Sequence, residues 1–396
     1  MLLIPLLLVG LLLLGIWEWR KHQKVIQSIP LRINVNGIRG KSTVTRLITG
    51  IMIEAGMHTV GKTTGTQARM IYWYTDEEEP IIRLPEGPNI REQKNVVTKA
   101  SRMGADCLVS ECMAVNPDYQ IVFQERMLKA NVGVIVNVLE DHMDVMGPTL
   151  DEVAEAFTAT IPYRGYLIVN ESPYVPYFRK IARRRKTRVI VCDTSRISED
   201  YLRQFETMIF PENAALALAV AEAAGVDEET AFRGMLNAPP DPGAMSILPV
   251  GDPQRPAYFA NGFAANDAAS TLNIWQRITE LGYPVEQLPV VIMNCRPDRV
   301  DRTEQFAEDV LPQIEMEALV VIGESTRPII EAHEQRKISA RTLLNLEEAS
   351  TEEVMEQLTP LLSDRVIYGV GNIHGAAEPL CEALEEMKHK PISNVS

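Results

Sequence analysis

The chain has 396 residues, of which 46% are hydrophobic and 23% are charged. This composition is typical of a globular protein and excludes a disordered or collagen-like chain, and the length favours two domains over one. Acidic residues outnumber basic residues by 53 to 39, and the net charge of −14 excludes a general nucleic-acid binder, because phosphate neutralisation needs a cationic surface. The five cysteines form no C-x-x-C pair, so neither a disulfide scaffold nor a zinc finger is indicated.

The N-terminal segment, residues 1–17, is uninterrupted apolar sequence that ends at a charged stretch, EWRKH. As a helix it would be about 26 Å long, close to the ~30 Å of hydrocarbon in a bilayer. A cleaved signal peptide is the alternative, but no cation precedes Arg20 and bulky residues follow the apolar run. We therefore predict a single-pass membrane anchor at residues 1–22. The cations Arg20, Lys21 and Lys24 predict that the rest of the chain lies in the cytoplasm.

After the anchor, short β-rich runs alternate with helical stretches, and this alternation favours α/β domains with parallel sheets. Strands are predicted at residues 33–35, 107–109, 132–138, 166–169 and 189–191. The stretch at 237–243 (NAPPDPG) has the strongest loop character and is predicted to separate two domains. Beyond it, strands are predicted at residues 257–260, 289–293, 318–322 and 365–368. The sequence thus predicts a central α/β domain at 23–242 and a smaller, Rossmann-like α/β domain at 243–396.

A glycine turn joins the first predicted strand to the first helix of the central domain. Residues 37–43 read GIRGKST, and such glycines let backbone N–H groups converge on phosphate oxygens at a helix N-terminus. In loops of this kind the lysine, here Lys41, reaches the β- and γ-phosphates, and the hydroxyl, here Ser42, binds Mg²⁺. The loop is shorter than G-x-x-x-x-G-K-[ST], because Val35 stands at the first glycine of that pattern. The alternative is a glycine-rich turn without a ligand. The predicted nucleotide contacts are Asn36, Gly37, Ile38, Arg39, Gly40, Lys41, Ser42 and Thr43.

A second glycine and threonine segment, GKTTGT at residues 61–66, is similar to a phosphate loop but is followed by no comparable helix. We interpret it as a loop in which Thr63 and Thr64 contact the substrate, or else as a plain turn.

Polar side chains also follow two other predicted strands. Glu111 ends one strand, and residues 135–144 (IVNVLEDHMD) carry Asn137, Asp141, His142 and Asp144 past another. Ligands bind at the carboxyl ends of strands in doubly wound sheets. Ser42, Glu111 and His142 are therefore candidate ligands of Mg²⁺ or Mn²⁺, through hard oxygens and one imidazole. A surface carboxylate at Glu111 and a core histidine at His142 are the alternatives.

The order of these segments resembles the Mur ligase superfamily, whose members are ATP-dependent amide ligases. Residues 37–43 are similar to its G-T-x-G-K-[ST]-[ST] loop, and residues 137–147 are similar to its N-x-x-x-D-H-x-D-x-x-G segment. Residues 210–217 (FPENAALA) look like the helix whose asparagine, here Asn213, contacts adenine. Asn137, the first residue of the second matching segment, is also a predicted nucleotide contact. The apolar N-terminus, the lack of room for a nucleotide-sugar domain before the loop, and residues 261–267 (NGFAAND) look most like the ligase subunits of poly-γ-glutamate synthases.

The sequence departs from the family pattern in three places. Family members often carry a carbamoylated lysine that helps to bind a second Mg²⁺, but residues 151–167 contain no lysine, so a second metal stays unassigned. Gly243-Ala244 stands where the family usually has Gly-Arg. The D-x-A-H-N signature is represented only by Asn261 and Asn266, which are candidate substrate contacts.

The resemblance implies ATP and Mg²⁺ as cofactors and a reaction through an acyl phosphate, in which the amine of the next glutamate displaces phosphate. The catalytic candidates are Lys41, Glu111, Asp141, His142 and Asp144. The resemblance does not identify the base for the amine, for which Asp141 and Asp144 are two candidates. The implied partners are glutamate, the growing polyglutamate chain, the membrane and other membrane subunits of a synthase and export complex. The alternatives are a folylpolyglutamate-synthase-like ligase and a non-catalytic ATP-binding scaffold subunit, whereas the loop spacing disfavours a P-loop kinase or GTPase.

Two basic segments could compensate for a polyanionic product. Residues 295–302 (CRPDRVDR) follow a strong predicted strand, and Arg296, Arg299 and Arg302 are predicted to recognise carboxylates because the guanidinium fork matches them. A self-paired surface loop is the alternative. Residues 179–188 form the densest basic run, which is either a solvated helix face or a contact for lipid or product.

Overall fold

The computed structural model describes residues 3–64, 68–82, 91–241, 245–265, 267–283 and 287–388. The chain forms two compact units, Met1–Ser198 with Ile209–Pro242, and Glu199–Met208 with Gly243–Ser396. The segment Glu199–Met208, which the sequence places within the central domain, therefore packs with the second unit.

The secondary structure alternates strands and helices along most of the chain. The helices are α1 (Leu3–Gln27), α2 (Lys41–Glu54), α3 (Arg91–Arg102), α4 (Pro117–Val122), α5 (Met143–Met146), α6 (Leu150–Phe157), α7 (Val175–Arg185), α8 (Glu199–Leu202), α9 (Pro211–Ala224), α10 (Glu228–Leu236), α11 (Ala268–Leu281), α12 (Val300–Gln305), α13 (Arg327–Glu334), α14 (Thr351–Leu358) and α15 (Ala377–Glu386). The strands are β1 (Leu31–Asn36), β2 (Thr59–Lys62), β3 (Arg69–Tyr72), β4 (Thr75–Pro80), β5 (Cys107–Glu111), β6 (Val132–Ile135), β7 (Tyr166–Val169), β8 (Arg188–Val191), β9 (Ile247–Asp252), β10 (Arg255–Asn261), β11 (Val290–Cys295), β12 (Met316–Gly323), β13 (Ala340–Glu347) and β14 (Val366–Gly371).

The first unit contains an eight-stranded sheet in the order β4-β3-β2-β5-β1-β6-β7-β8. The six strands from β2 to β8 in this order are parallel, whereas β3 and β4 extend one edge in antiparallel fashion. The prediction of a parallel α/β sheet is therefore confirmed. β1 lies between β5 and β6, and the register pairs Val35 with Glu111 and Asn36 with Ile135. The ends of these three strands consequently meet at one edge, which we call the nucleotide edge.

The segment interpreted as a second glycine loop is partly a strand. Gly61 and Lys62 lie in β2, and a side chain at Gly61 would stand 2.5 Å from the hydroxyl of Thr49 on α2. Glycine therefore serves the close packing of α2 on the sheet here, and not a turn. Residues 65–67, which include Gly65 and Thr66, lie outside the described residues.

The second unit contains a six-stranded sheet in the order β13-β12-β11-β14-β10-β9, in which only β9 runs antiparallel to its neighbour. β11 and β14 are central and buried along their whole length. Arg277 of α11 binds Glu199 through two hydrogen bonds of 2.8 and 2.6 Å, and Arg203 donates to the carbonyl of Leu281. These contacts explain why Glu199–Met208 packs with this unit.

The first helix, α1, is continuous from Leu3 to Gln27, and its last turn enters the core through Ile26. Within the part of the chain that the structure describes, no helix combines the length and the apolarity needed to cross a membrane.

Candidate active site

The turn between β1 and α2 presents the N-terminus of a buried helix at the nucleotide edge. Gly40 has φ 79°, a left-handed conformation that glycine adopts without strain, and it precedes the first residue of α2. The N–H groups of the first helical turn have no partner within the helix, so they are available to an anion. The carboxamide of Asn213 on α9 lies 3.0 Å from the place where a Cβ on Gly40 would stand. Asn213 therefore lies directly against the glycine turn.

The side chain of Asn137 holds this turn in shape. Its Oδ1 accepts hydrogen bonds from the N–H groups of Ile38 at 3.0 Å and Arg39 at 3.1 Å, and its Nδ2 donates to the carbonyl of Arg39 at 3.0 Å. Asn137 follows β6, next to β1 in the sheet. The amides of Ile38 and Arg39 are thus directed at Asn137, and the amides that are left for an anion belong to the start of α2.

The ammonium group of Lys41 lies over the same turn. Its Nζ donates to the carbonyls of Gly37 at 2.8 Å and Ile38 at 2.9 Å. These contacts hold a positive charge at the mouth of the turn, next to the N–H groups of α2.

The carboxylate of Glu111, at the end of β5, is hydrogen-bonded to the start of α2 and to the segment that follows β2. The carboxylate, with the residue only 2% exposed, accepts a 2.8 Å hydrogen bond from the hydroxyl of Ser42 and another of 2.8 Å from the N–H of Thr64. The hydroxyl of Thr64 donates to its other oxygen. Thr63, in contrast, pairs with the backbone of Arg69 and serves the sheet.

A cavity of about 460 Å³ opens at the nucleotide edge and is lined by Asn36, Gly37, Ile38, Lys41, Thr64, Glu111, Cys112, Met113, Ala114, Val115, His142, Met146 and Phe157. The structure thus brings Lys41, Glu111 and His142 to one cavity, and Ser42 reaches it through Glu111. Burial raises the pKa of the Cys112 thiol to about 11, so this cysteine stays a protonated, apolar part of the wall at neutral pH.

His142 occupies an unusual position at the start of α5. It has φ 51°, and its side chain is 53% exposed. The carboxylate of Asp141 accepts a 2.9 Å bond from the N–H of His142 and lies 3.4 Å from the guanidinium of Arg39. Asp141 therefore links His142 to the glycine turn, whereas Asp144 is exposed on α5 and does not line the cavity.

The donor set at the cavity fits a hard divalent cation. Among the described residues no group of three or more His, Cys, Asp and Glu side chains could hold a metal ion by itself. The buried carboxylate of Glu111 and the hydroxyl of Ser42 are instead in direct contact, and the imidazole of His142 lines the same cavity, so hard oxygen donors and one nitrogen donor are available there. This pattern is typical of Mg²⁺ bound together with a nucleotide.

A buried cation that the sequence does not predict lies next to the site. Lys62, at the end of β2, is fully buried, and its Nζ lies 3.0 Å from the carboxylate of Glu92 on α3. Burial lowers the pKa of Lys62, and the negative charges of Glu92 and Glu111 oppose this shift. A lysine directly before two threonines in a short β-rich run was the available signal, but its partner lies 30 residues away.

The described candidate residues of the second unit lie at or after the ends of β10 and β11. Arg296 is bound to Asp298 by two bonds of 2.9 Å, as the self-paired alternative predicts, and Arg299 lies 4.0 Å from the same carboxylate. Arg302 donates to Asn372 Oδ1 at 2.7 Å. Asn261 is the last residue of β10 and pairs with Gly369, whereas Asn266 lies outside the described residues.

Two family models match the chain. The Mur ligase middle domain matches residues 35–238, and the poly-gamma-glutamate synthase CapB C-terminal domain matches residues 247–387. The chain is 64% identical over 382 residues to a Bacillus subtilis (strain 168) protein named PGA synthase CapB, with 96% of this chain and 97% of that protein covered. It is also 64% identical over 378 residues to a Bacillus anthracis capsule biosynthesis protein CapB, with 96% and 81% covered.

Solved structures share the fold at low sequence identity. A folylpolyglutamate synthase from Thermotoga maritima superposes with a TM-score of 0.60 at 14% identity over 94% of each chain. A bifunctional folylpolyglutamate synthase/dihydrofolate synthase from Yersinia pestis, complexed with AMPPNP and a Mn ion, gives a TM-score of 0.56 at 13% identity over 92% of each chain.

Proposed function

Because this chain belongs to the CapB family of the Mur ligase superfamily, we propose that it is an ATP-dependent amide ligase of poly-γ-glutamate synthesis. The resemblance drawn from the sequence is confirmed by the identity to the Bacillus proteins over nearly the whole chain. The observation that carries the activity is one cavity lined by Lys41, Glu111 and His142 at the N-terminus of α2.

Joining a carboxylate to an amine in water is unfavourable, so the carboxylate is first activated. In the proposed reaction a carboxylate oxygen of the growing polyglutamate chain attacks the γ-phosphorus of ATP. The bond between the γ-phosphorus and the bridging oxygen breaks, so the products of this step are an acyl phosphate and ADP. The nitrogen of the next glutamate then attacks the acyl carbon, and phosphate departs. Two anions meet in the first step, so its rate depends on positioning and charge neutralisation.

Residues of the glycine turn are proposed to supply that neutralisation. The N–H groups at the start of α2 and the ammonium of Lys41, which lies over the carbonyls of Gly37 and Ile38, are the groups proposed to contact the β- and γ-phosphates. Preorganised donors of this kind contribute roughly 10²–10³ in rate each. Asn137 fixes the backbone that carries them, and Asn213 is proposed to contact the adenine side of the nucleotide.

Mur ligases use ATP with a divalent metal, and we propose Mg²⁺ here. Ser42, Glu111 and His142 are the residues proposed to hold it. When bound, the cation supplies positive charge beside the phosphate oxygens. Glu111 is suited to this role because three donors hold its carboxylate in one orientation.

The substrate carboxylates are proposed to contact cations of the second unit. Arg302 and Arg299 follow β11 at the centre of a parallel sheet, where ligands bind outside the carboxyl ends of strands. Arg296 is a weaker candidate because Asp298 already occupies both of its guanidinium arms.

We also propose that residues 1–22 anchor the enzyme in the membrane as a single-pass segment, with the two units in the cytoplasm and with other membrane subunits as partners. The support is the exposed apolar surface of α1. Its exposed large apolar side chains are Ile4, Leu7, Leu8, Val9, Leu11, Leu12, Leu13, Leu14, Ile16, Trp17 and Trp19. Contiguous exposed apolar surface of this kind marks an interaction site.

ADP release by purified membranes, with and without glutamate, tests the ligase assignment. The proposal expects glutamate-stimulated turnover that Lys41→Ala and His142→Ala both abolish, while Lys180→Ala on the exposed face of α7 retains it. Tight ATP binding without glutamate-stimulated turnover would instead identify a scaffold subunit. Turnover that needs a folate acceptor would identify a folylpolyglutamate-synthase-like ligase.

A further inference from the structure

The direction of α1 shows which edge of the sheet its apolar N-terminal end lies nearest to. α1 ends at Gln27 and β1 begins at Leu31, so the C-terminal end of α1 lies where the parallel strands begin. Glu18 of α1 pairs with Lys94 of α3, and Ser28 Oγ, just past α1, lies 2.7 Å from Ser101 Oγ. The two helices are therefore parallel to each other.

α3 has the same direction relative to the sheet. It ends at Arg102, shortly before β5 begins at Cys107, so its C-terminal end also lies where the strands begin. Both helices consequently run antiparallel to β1 and β5, and their N-termini point to the nucleotide edge.

The apolar part of α1 continues beyond this edge. Residues 18–28 lie beside α3, whose 12 residues span about 18 Å, close to the length of β5. Residues 4–17 precede that contact and add about 21 Å of helix. Their described side chains are mostly exposed, which shows that no described element covers this part of the helix.

We propose that the nucleotide edge of the first unit faces the bilayer, with the membrane surface at the level of Trp17 and Trp19. This inference rests on the proposed anchor. Tryptophan prefers the membrane interface, and the Nζ of Lys21 lies 5.1 Å from the ring centroid of Trp17, where it can reach lipid headgroups. Because α1 is one continuous helix rooted in the core by Ile26, its direction fixes which edge meets the membrane.

This orientation determines where the polyglutamate product is released. Carboxylate activation and amide formation take place on the side of the first unit that lies nearest to the lipid. A polyglutamate chain elongated there is released next to the membrane, where a membrane partner can receive it, and not into bulk cytoplasm.

The edge at which the strands begin carries a cationic surface that would favour the opposite orientation of the first unit on the membrane. α7 ends at Arg185 and β8 begins at Arg188, so the exposed cations Arg183, Arg184 and Lys186 lie where the strands begin. Anionic headgroups attract such cations by about 1 kcal/mol each. The direction of α1 places them away from the bilayer, so the two surfaces predict opposite orientations.

Energy transfer to the lipid surface distinguishes the orientations. Cys192 is the only cysteine of this chain that is not buried, so Cys192→Ser gives a background for single labels. Glu171→Cys lies just past β7 at the nucleotide edge, and Arg188→Cys lies at the start of the neighbouring strand β8. The positions of the two labels are separated chiefly along the strand direction, by about 17 Å.

The full-length variants, labelled with a donor fluorophore, are reconstituted into vesicles of phosphatidylcholine and phosphatidylglycerol that carry an acceptor on the headgroup. The proposal expects the label at 171 to lie closer to the acceptors than the label at 188, by about 17 Å. Equal distances, or a closer label at 188, would overturn the orientation while leaving the anchor intact. Failure of the protein to float with the vesicles would overturn the anchor and the orientation with it.

Discussion

The hydroxyl of Ser42 donates a 2.8 Å hydrogen bond to Oε2 of Glu111, which joins the first turn of α2 to the end of β5. Thr64 adds two further donors to the same carboxylate. Three donors hold this buried carboxylate in one orientation. The end of β5 thus presents a carboxylate in a fixed orientation beside the glycine turn.

Replacing Glu111 by glutamine tests this arrangement. The amide keeps the size of the side chain but removes the charge that would attract a divalent cation. We expect ADP release to fall by about 10²-fold and to need more Mg²⁺ for half-maximal rate. A Mg²⁺ titration of the initial rate measures both effects.

Glu171→Gln is the matched control, because Glu171 also follows a parallel strand, β7, but is exposed and away from the cavity. Its Mg²⁺ requirement should equal that of the wild type. An unchanged Mg²⁺ titration for Glu111→Gln would reject the proposed metal role of Glu111.

Asn137→Ala tests whether this asparagine acts by shaping the glycine turn. The variant loses three hydrogen bonds to the backbone of Ile38 and Arg39, each worth about 1 kcal/mol. We expect the KM for ATP to rise about tenfold or more, since the turn is no longer held in its binding conformation. Steady-state kinetics with varied ATP gives the value.

Asn170→Ala serves as its comparison. Asn170 follows β7, next to β6, and donates a single 3.0 Å bond to the carbonyl of Val136. Its KM for ATP should change far less than that of Asn137→Ala. Equal changes in the two variants would mean that Asn137 supports the sheet edge in general and not the glycine turn.

The glycine turn and its flanking elements could be predicted because their signals are local. Residues 33–43 combine a β-rich run, two glycines and the start of an amphipathic helix, and each signal lies within one element. The position of Glu111 and Asn137 beside that turn depends on the strand order β5-β1-β6, which is not the chain order. The expectation that these residues meet rests on their positions after parallel strands and on the family resemblance, and not on periodicity.

Contacts between distant residues explain what the sequence did not reveal. The sequence predicts a loop at Gly61 because glycine favours turns, whereas the role of this glycine depends on Thr49 of α2. The sequence places Lys62 in the same predicted loop and does not reveal its partner, because only the packing of α3 on the sheet brings Glu92 to Lys62. The packing of Glu199–Met208 with the second unit likewise depends on Arg277, which lies 78 residues after Glu199 in the sequence.

The buried pair of Lys62 and Glu92 should be strongly coupled. Removing one partner leaves an uncompensated buried charge, so Glu92→Gln should lower the free energy of unfolding by about 3–5 kcal/mol. Lys62→Met with Glu92→Gln removes both charges and should recover most of that loss. Urea unfolding of the two single variants and the double variant gives the coupling energy. Additive single effects would show that the two groups do not interact.

The pKa of Lys62 predicts the direction of a pH effect on stability. Burial lowers this pKa below its ordinary value of 10.5, so just below pH 10.5 the unfolded state binds more protons than the folded state. Stability from this group therefore rises with pH in that alkaline window and is lost as pH falls through it.

Unfolding measured from pH 7 upwards should show wild type gaining stability relative to Lys62→Met. Lys180→Met, at an exposed lysine on α7, should give a curve parallel to wild type. A Lys62→Met curve that also runs parallel would show that Lys62 keeps its ordinary pKa and that the charge of Glu92 fully compensates for its burial.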